Sequence, residues 1–136
     1  MNKDLAADLN VAQQGIVDTF AQIQPLLRSY TQAKPKIREL RERLLAYLGR
    51  QDEEFFELLR EGHRHDREAG KMIEFLAHDI RAVKVQYLIF FEKHSGEMLS
   101  PYLRDFPRDF TEFSKLILAR FKIEEDYLFP LIAIIS

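Results

Sequence analysis

The chain of 136 residues contains no cysteine and no tryptophan, and it has only five glycines. The absence of cysteine excludes disulfides, thiol catalysis and thiolate metal sites, and it fits a reducing cytoplasm. The first ten residues lack the apolar run of a signal peptide. The most apolar segment, residues 87–91, is too short to span a bilayer. We therefore expect a cytoplasmic protein that does not enter membranes.

Neither sign of charge dominates the chain. It carries 20 Lys and Arg against 22 Asp and Glu, a net charge of −2. Such a balance gives no overall field that would attract nucleic acid. The sequence also shows no Ser/His/Asp order, glycine-rich phosphate loop or nucleic-acid-binding motif. These absences favour a non-enzymatic protein that does not bind nucleic acid.

Apolar residues recur every three or four positions along the chain, and no alternating strand pattern occurs. This spacing is typical of amphipathic helices. It predicts one all-α domain over residues 1–136, with four helices at about 3–32, 36–61, 66–92 and 107–133. Their short to moderate connections favour an up-down-up-down four-helix bundle.

Prolines and polar clusters set the predicted ends of these helices. Pro25 predicts a kink inside the first helix, because proline removes a backbone donor and clashes with the preceding turn. The stretch "AKPK" (33–36) predicts a break before the second helix. Asp66 is the expected N-cap of the third helix. The stretch "KHSGEMLSPYLRDFP" (93–107) predicts a long loop before the fourth helix.

An internal repeat relates the second predicted helix to the fourth. Residues 44–59 align with residues 117–132 without a gap, and both copies place a polar pair at i and i+4 on the inward stripe. The pairs are Tyr47 with Gln51 and Arg120 with Glu124. A buried arginine needs a partner, so we expect these four side chains to form a buried network of hydrogen bonds. The alternative is that they lie at the edge of the stripe and reach solvent.

These repeats resemble the hemerythrin-like family of cation-binding domains. The stretches "EEDYLFPLI" and "QDEEFFELL" are similar to the end of that family's repeated unit, and the order of elements agrees over about residues 37–132. The resemblance implies a four-helix bundle with a cation site at its centre. It also places "LAHDI" (76–80) where the third helix carries a further ligand, which adds His78 to the central cluster.

The family's iron ligands do not carry over to this sequence. The positions of the paired histidines hold Tyr47 and Arg120, and those of the paired carboxylates hold Gln51 and Glu124. Arginine only donates hydrogen bonds and cannot ligate a cation. We therefore expect no metal and no other cofactor. The alternative is a divergent iron- or cation-binding domain, for sensing or storage, that uses His78, Glu124 and further ligands.

A second resemblance concerns transcription. The stretches "YLGRQDEEFFELL" and "ARFKIEE" look like corresponding parts of the Rsd/AlgQ anti-sigma regulators, and "IVDTF" (16–20) is faintly similar to their first helix. That resemblance implies a cytoplasmic helical regulator that binds the C-terminal region of the housekeeping sigma factor.

The third predicted helix has two apolar faces, which is typical of a helix wedged between neighbours or covered by another chain. We expect its second face to bind a protein partner or a second copy, together with the apolar tail at 131–135. The predicted interaction surface consists of Met72, Phe75, Val85, Ile89 and Phe91. The alternative is a helix that is buried on both faces.

Overall fold

The structure is a computed structural model that describes residues 4–94 and 100–135, with no side-chain description for residues 100–102. The predicted all-α class is confirmed, since no strand occurs among the described residues. A 3₁₀ turn (Gln24–Leu26) follows the first helix, and a π-helical turn (Glu124–Leu128) precedes the last one. The helices are α1 (Leu5–Ile23), α2 (Tyr30–Gly49), α3 (Glu53–Gly62), α4 (Arg67–His94), α5 (Ser100–Ile123) and α6 (Phe129–Ile135).

The first break in the chain lies earlier than predicted. Pro25 does not kink one long helix but lies in the 3₁₀ turn after α1, and Ser29 then adopts non-helical dihedral angles before α2 begins. The predicted break at "AKPK" is wrong, because Pro35 lies inside α2. Proline there removes one helical hydrogen bond, to the carbonyl of Thr31. Thr31 is exposed, so water can bond to that carbonyl instead.

The second predicted helix is in fact two helices. α2 ends at Gly49, and α3 begins at Glu53 because the Asp52 carboxylate accepts a hydrogen bond of 2.9 Å from the backbone N–H of Phe55. Glu53 and Glu54 add negative charge to the first turn of α3, where the helix dipole favours it. The acidic stretch at 52–54 is therefore a helix start.

The start of α4 agrees with the sequence prediction. The Asp66 carboxylate accepts a hydrogen bond of 3.0 Å from the backbone N–H of Ala69, as expected of an N-cap. The predicted long loop at 93–107 is wrong in its second half, because α5 already begins at Ser100 and contains Pro107. Buried Phe106 and Phe110 lie one turn apart and continue the apolar stripe across this proline. Residues 95–99 of that loop lie outside the described residues.

The π-helical turn between α5 and α6 has a cause in the sequence. Pro130 has no N–H for the carbonyl of Asp126, and its ring would clash with that carbonyl in a regular α-helix. The chain widens instead, and the N–H of Phe129 bonds to the carbonyl of Glu124, five residues earlier. Glu124 and Leu128 both point into the core within this turn.

The helices surround one apolar core. α1 packs against α2, and α4 packs against α5. α3 lies against α4 and α6, and the π-helical turn reaches α4. None of the helices in the described ranges is long and apolar enough to cross a membrane.

Candidate functional site: a buried polar network

The inward polar pairs of the repeat meet in the protein interior. Tyr47 comes from the end of α2, Gln51 from the link to α3, Arg120 from the end of α5 and Glu124 from the π-helical turn. Each of these side chains is at most 2% exposed. The bonds between them join parts of the chain that are up to 77 residues apart in sequence.

Glu124 accepts hydrogen bonds at both of its carboxylate oxygens. Oε1 accepts from the hydroxyl of Tyr47 and from Nε2 of Gln13, the latter at 2.9 Å. Oε2 accepts from Nε2 of Gln51 and from Nε of Arg120, both at 2.7 Å. An ionised carboxylate offers about four lone-pair sites, so these four donors saturate it.

Arg120 uses every nitrogen of its guanidinium group. Besides the bond from Nε to Glu124, Nη2 donates to Oε1 of Gln51 at 2.7 Å. Nη1 donates to the backbone carbonyl of Leu76 at 3.2 Å and to Oδ2 of Asp79 at 3.0 Å. The Asp79 side chain is 32% exposed, so it links the buried network to the surface of α4.

Gln13 of α1 is a member of the network that the sequence analysis missed. It is 3% exposed, and its Nε2 also donates to the hydroxyl of Tyr47 at 2.9 Å. The signal was present: Gln13 follows the buried Leu9 by four residues and precedes the buried Ile16 by three. A polar residue at that point of an apolar stripe faces the interior and needs a partner.

The electrostatics of the network keep Tyr47 neutral. Burial raises the pKa of its hydroxyl far above the usual range, and the negative charge of Glu124 raises this pKa further. The phenol therefore stays protonated at neutral pH and donates to the carboxylate. The charges of Arg120 and Glu124 neutralise each other inside the core, as a buried pair requires.

The donor set of this network does not suit a di-iron centre. Iron needs free lone pairs from imidazole or carboxylate groups, whereas both oxygens of Glu124 already accept two bonds each. Arg120 lies against that carboxylate and would repel a cation. The described residues contain no group of three or more His, Asp and Glu side chains placed to hold a metal ion.

No family model, curated protein or solved structure matches this chain.

The assignment of His78 to the central cluster is wrong. His78 lies on the exposed face of α4, whereas Glu124 is fully buried. The predicted stretch 76–80 is nevertheless the part of α4 that reaches the network, since Leu76 and Asp79 both contact Arg120. At 100° per residue, however, His78 points about 100° away from Asp79. The two side chains that the alternative metal site requires do not meet.

The predicted interaction surface on α4 is mostly exposed. Phe75, Val85 and Ile89 are 49%, 52% and 54% exposed, and Met72 is half-buried. Phe91 does not belong to this surface, because it is only 2% exposed and packs against other aromatic rings. Those rings belong to Tyr87, Phe90 and Phe113. The apolar tail is divided, with Leu131 and Ile132 buried and Ile134 exposed.

Two histidines that the sequence analysis placed in loops are buried. His63 ends α3, and its Nε2 donates to the backbone carbonyl of Leu131 at 2.8 Å, which ties α6 to α3. His94 ends α4 and donates from Nε2 to Oδ2 of Asp109 at 2.8 Å. Burial lowers the pKa of His94, and its Nδ1 has no hydrogen-bond partner within the described ranges.

Proposed function

We propose that this protein is a non-enzymatic helical bundle of hemerythrin-like architecture, without a di-iron centre, that acts as a regulatory protein-interaction module. The observation that carries the proposal is the saturation of Glu124. Where the resemblance places a cation, the chain has a carboxylate with four donors and a guanidinium group with four acceptors. The centre of the molecule then serves stability, and function belongs to its surface.

The packing of the helices supports the four-helix-bundle part of this proposal. α1, α2, α4 and α5 are the four long helices, and α1 contacts α5 as well as α2. Only three residues, 50–52, separate α2 from α3, so the two occupy the place of the single second helix of an up-down-up-down bundle.

The surface of α4 supports the interaction part. Its outer face carries a row of exposed apolar side chains. Proteins in water seldom leave such a row exposed, and a partner usually covers it. We define the α4 stripe as the exposed residues Phe75, His78, Ala82, Val85 and Ile89. The stripe runs beside Asp79, the residue of α4 that contacts Arg120, and Ala82 lines a surface cavity together with both.

A site-specific photocrosslinker tests the proposed function in cells. Placed at Val85, it should give a discrete crosslinked protein species, because the stripe is covered by a partner. The matched control is Val11 of α1, an exposed valine that lies outside the stripe. If Val85 crosslinks no more than Val11, the stripe is not an interaction surface.

The Rsd/AlgQ-like form of the proposal names one partner, the C-terminal region of the housekeeping sigma factor. Purified sigma factor region should then bind the purified chain, and Val85→Asp should weaken that binding while Val11→Asp leaves it unchanged. Absence of binding in calorimetry would remove the sigma factor as the partner.

Metal analysis of untagged protein should give much less than one iron per chain.

A further inference from the structure

The α4 stripe ends in opposite charges. Lys71 lies one turn before Phe75, and Glu92 lies just beyond Ile89, both exposed. They are 21 residues apart, which is three heptads and about 32 Å along a helix. At 100° per residue, 21 positions return to the same face within about 60°. One face of α4 therefore runs from a cation, through apolar residues, to an anion.

The other charges beside the stripe are already paired within the chain. Arg81 donates to Glu53 at 3.1 Å, and Glu74 accepts from Arg60 at 2.5 Å. Lys71 has only a long contact of 3.7 Å with the exposed Glu68. Glu92 has no ion pair with any residue in the described part of the chain.

We propose that the α4 stripe is a homodimer interface, in which a second copy of this chain packs its own α4 antiparallel across a twofold axis. This inference rests on the proposed interaction function and names its partner. In an antiparallel arrangement Lys71 of each copy faces Glu92 of the other, so two ion pairs close the ends of the contact. A parallel arrangement would place like charges together at both ends.

The apolar residues of the stripe obey the same symmetry. Around a twofold axis near Ala82, Phe75 of one copy lies opposite Ile89 of the other, and His78 lies opposite Val85. The small side chain of Ala82 allows the two helices to approach closely at the axis. A twofold contact of this kind uses one surface twice and closes on itself. The net charge of −2 gives little repulsion between copies.

Sedimentation velocity over a wide concentration range tests the homodimer. Wild type should dimerise, and Val85→Asp should give monomers at every concentration, whereas Val11→Asp should dimerise like wild type. Circular dichroism would show that both variants fold. A wild type that stays monomeric, or a dimer that survives Val85→Asp, overturns the proposal.

Charge-reversal variants test the antiparallel arrangement of the two α4 helices. Lys71→Glu should raise the dimer dissociation constant about tenfold, since it replaces two symmetric ion pairs by two repulsions. Glu92→Lys should do the same, and the double variant should restore the wild-type constant. Lys115→Glu, an exposed lysine on α5, is the control for net charge. Failure of the double variant to restore binding overturns the antiparallel arrangement.

Two outcomes distinguish a failure of the homodimer from a failure of the proposed interaction function. A monomeric chain whose Val85 still crosslinks to a different protein removes the homodimer and keeps the interaction function. A homodimer whose Val85 crosslinks only to a second copy keeps the interface, and it removes the support for a regulatory partner on this face.

Discussion

The guanidinium Nε of Arg120 lies 2.7 Å from Oε2 of Glu124, one helical turn away, and both side chains are buried. On an exposed helix such a pair contributes little to stability. Here neither charge can be solvated by water, so Glu124 depends on Arg120 and on its neutral donors, and Arg120 depends on Glu124, on Asp79 and on its neutral acceptors.

Removal of Glu124 should destabilise the protein more than removal of Arg120. Glu124→Leu leaves the Tyr47 hydroxyl and Nε2 of Gln51 without an acceptor, and it removes the buried anion beside Arg120, which then keeps only the partly exposed Asp79 as a charged partner. We expect a loss of about 3–5 kcal/mol. Arg120→Leu leaves a carboxylate that keeps three donors, so about 1–3 kcal/mol is expected. Urea unfolding of both variants and of the double variant measures the order and the coupling. A harmless Glu124→Leu would contradict the buried network.

Loss of the Tyr47 hydroxyl should also destabilise the protein. Tyr47→Phe removes a hydrogen bond to a charged acceptor, which contributes about 1.5–3 kcal/mol. Tyr87→Phe is the matched control, because the Tyr87 hydroxyl donates to a neutral backbone carbonyl, that of Arg41, at 3.1 Å. Its loss should be nearer 1 kcal/mol. Equal effects in chemical denaturation would show that Glu124 is not the special acceptor.

The stability of the protein should fall as the pH drops through the range of histidine. Burial lowers the pKa of His94 in the folded state, so the unfolded state takes up its proton first. The contribution of neutral His94 is present above the ordinary histidine pKa and is lost below it. Lys93, Asp105 and Asp109 are the charged groups that act on it, and Asp109, whose pKa is also lowered, titrates only at more acidic pH.

The variant His94→Gln isolates this contribution. It keeps a donor for Asp109 but cannot take up a proton, so the free energy of unfolding should depend less on pH between about 5 and 7 than in wild type. Urea unfolding at several pH values measures the difference. The same slope in both proteins would assign the pH dependence to other groups.

Two glycines should respond in opposite ways to substitution by alanine. A Cβ on Gly70, inside α4, meets no atom within 4 Å, so Gly70→Ala should stabilise the protein by about 0.5–1 kcal/mol. A Cβ on Gly62 would come within 2.6 Å of Cγ2 of Ile135, so Gly62→Ala should lack this gain and loosen α6. Thermal unfolding and hydrogen exchange of α6 measure both effects. Adding Ile135→Ala should restore the stability of the Gly62→Ala variant, but it should not raise the stability of the Gly70→Ala variant.

The sequence predicted the helical class and the meeting of the two polar pairs, because both depend on periodicity. The i, i+4 spacing fixes which face a side chain occupies, and the repeat showed that two such faces would meet. Gln13 was missed because its apolar neighbour Ala12 also lies three residues after Leu9 and four before Ile16, although Ala12 is only half-buried. His78 was misplaced for a similar reason, since one residue of error rotates a helical side chain by 100°.

The errors at prolines have a different origin. Pro35 and Pro107 were treated as helix ends, although a helix tolerates a proline when packing on either side is strong enough. Phe106 and Phe110 supply that packing beside Pro107, through contacts with Tyr30 and Phe20. The π-helical turn could have been expected from Pro130, but its effect on the direction of Glu124 depends on three-dimensional packing.

The four donors to Glu124 also constrain the order in which the chain can fold. Gln13 and Glu124 are 111 residues apart, so their bond spans most of the sequence. Contacts at such separation form late, after the intervening helices have closed the loop between them. Until the π-helical turn is made, Gln13, Tyr47 and Gln51 have no carboxylate to satisfy them. A side chain in the π-helical turn thus decides whether Gln13 of α1, more than a hundred residues earlier, has a charged partner in the core.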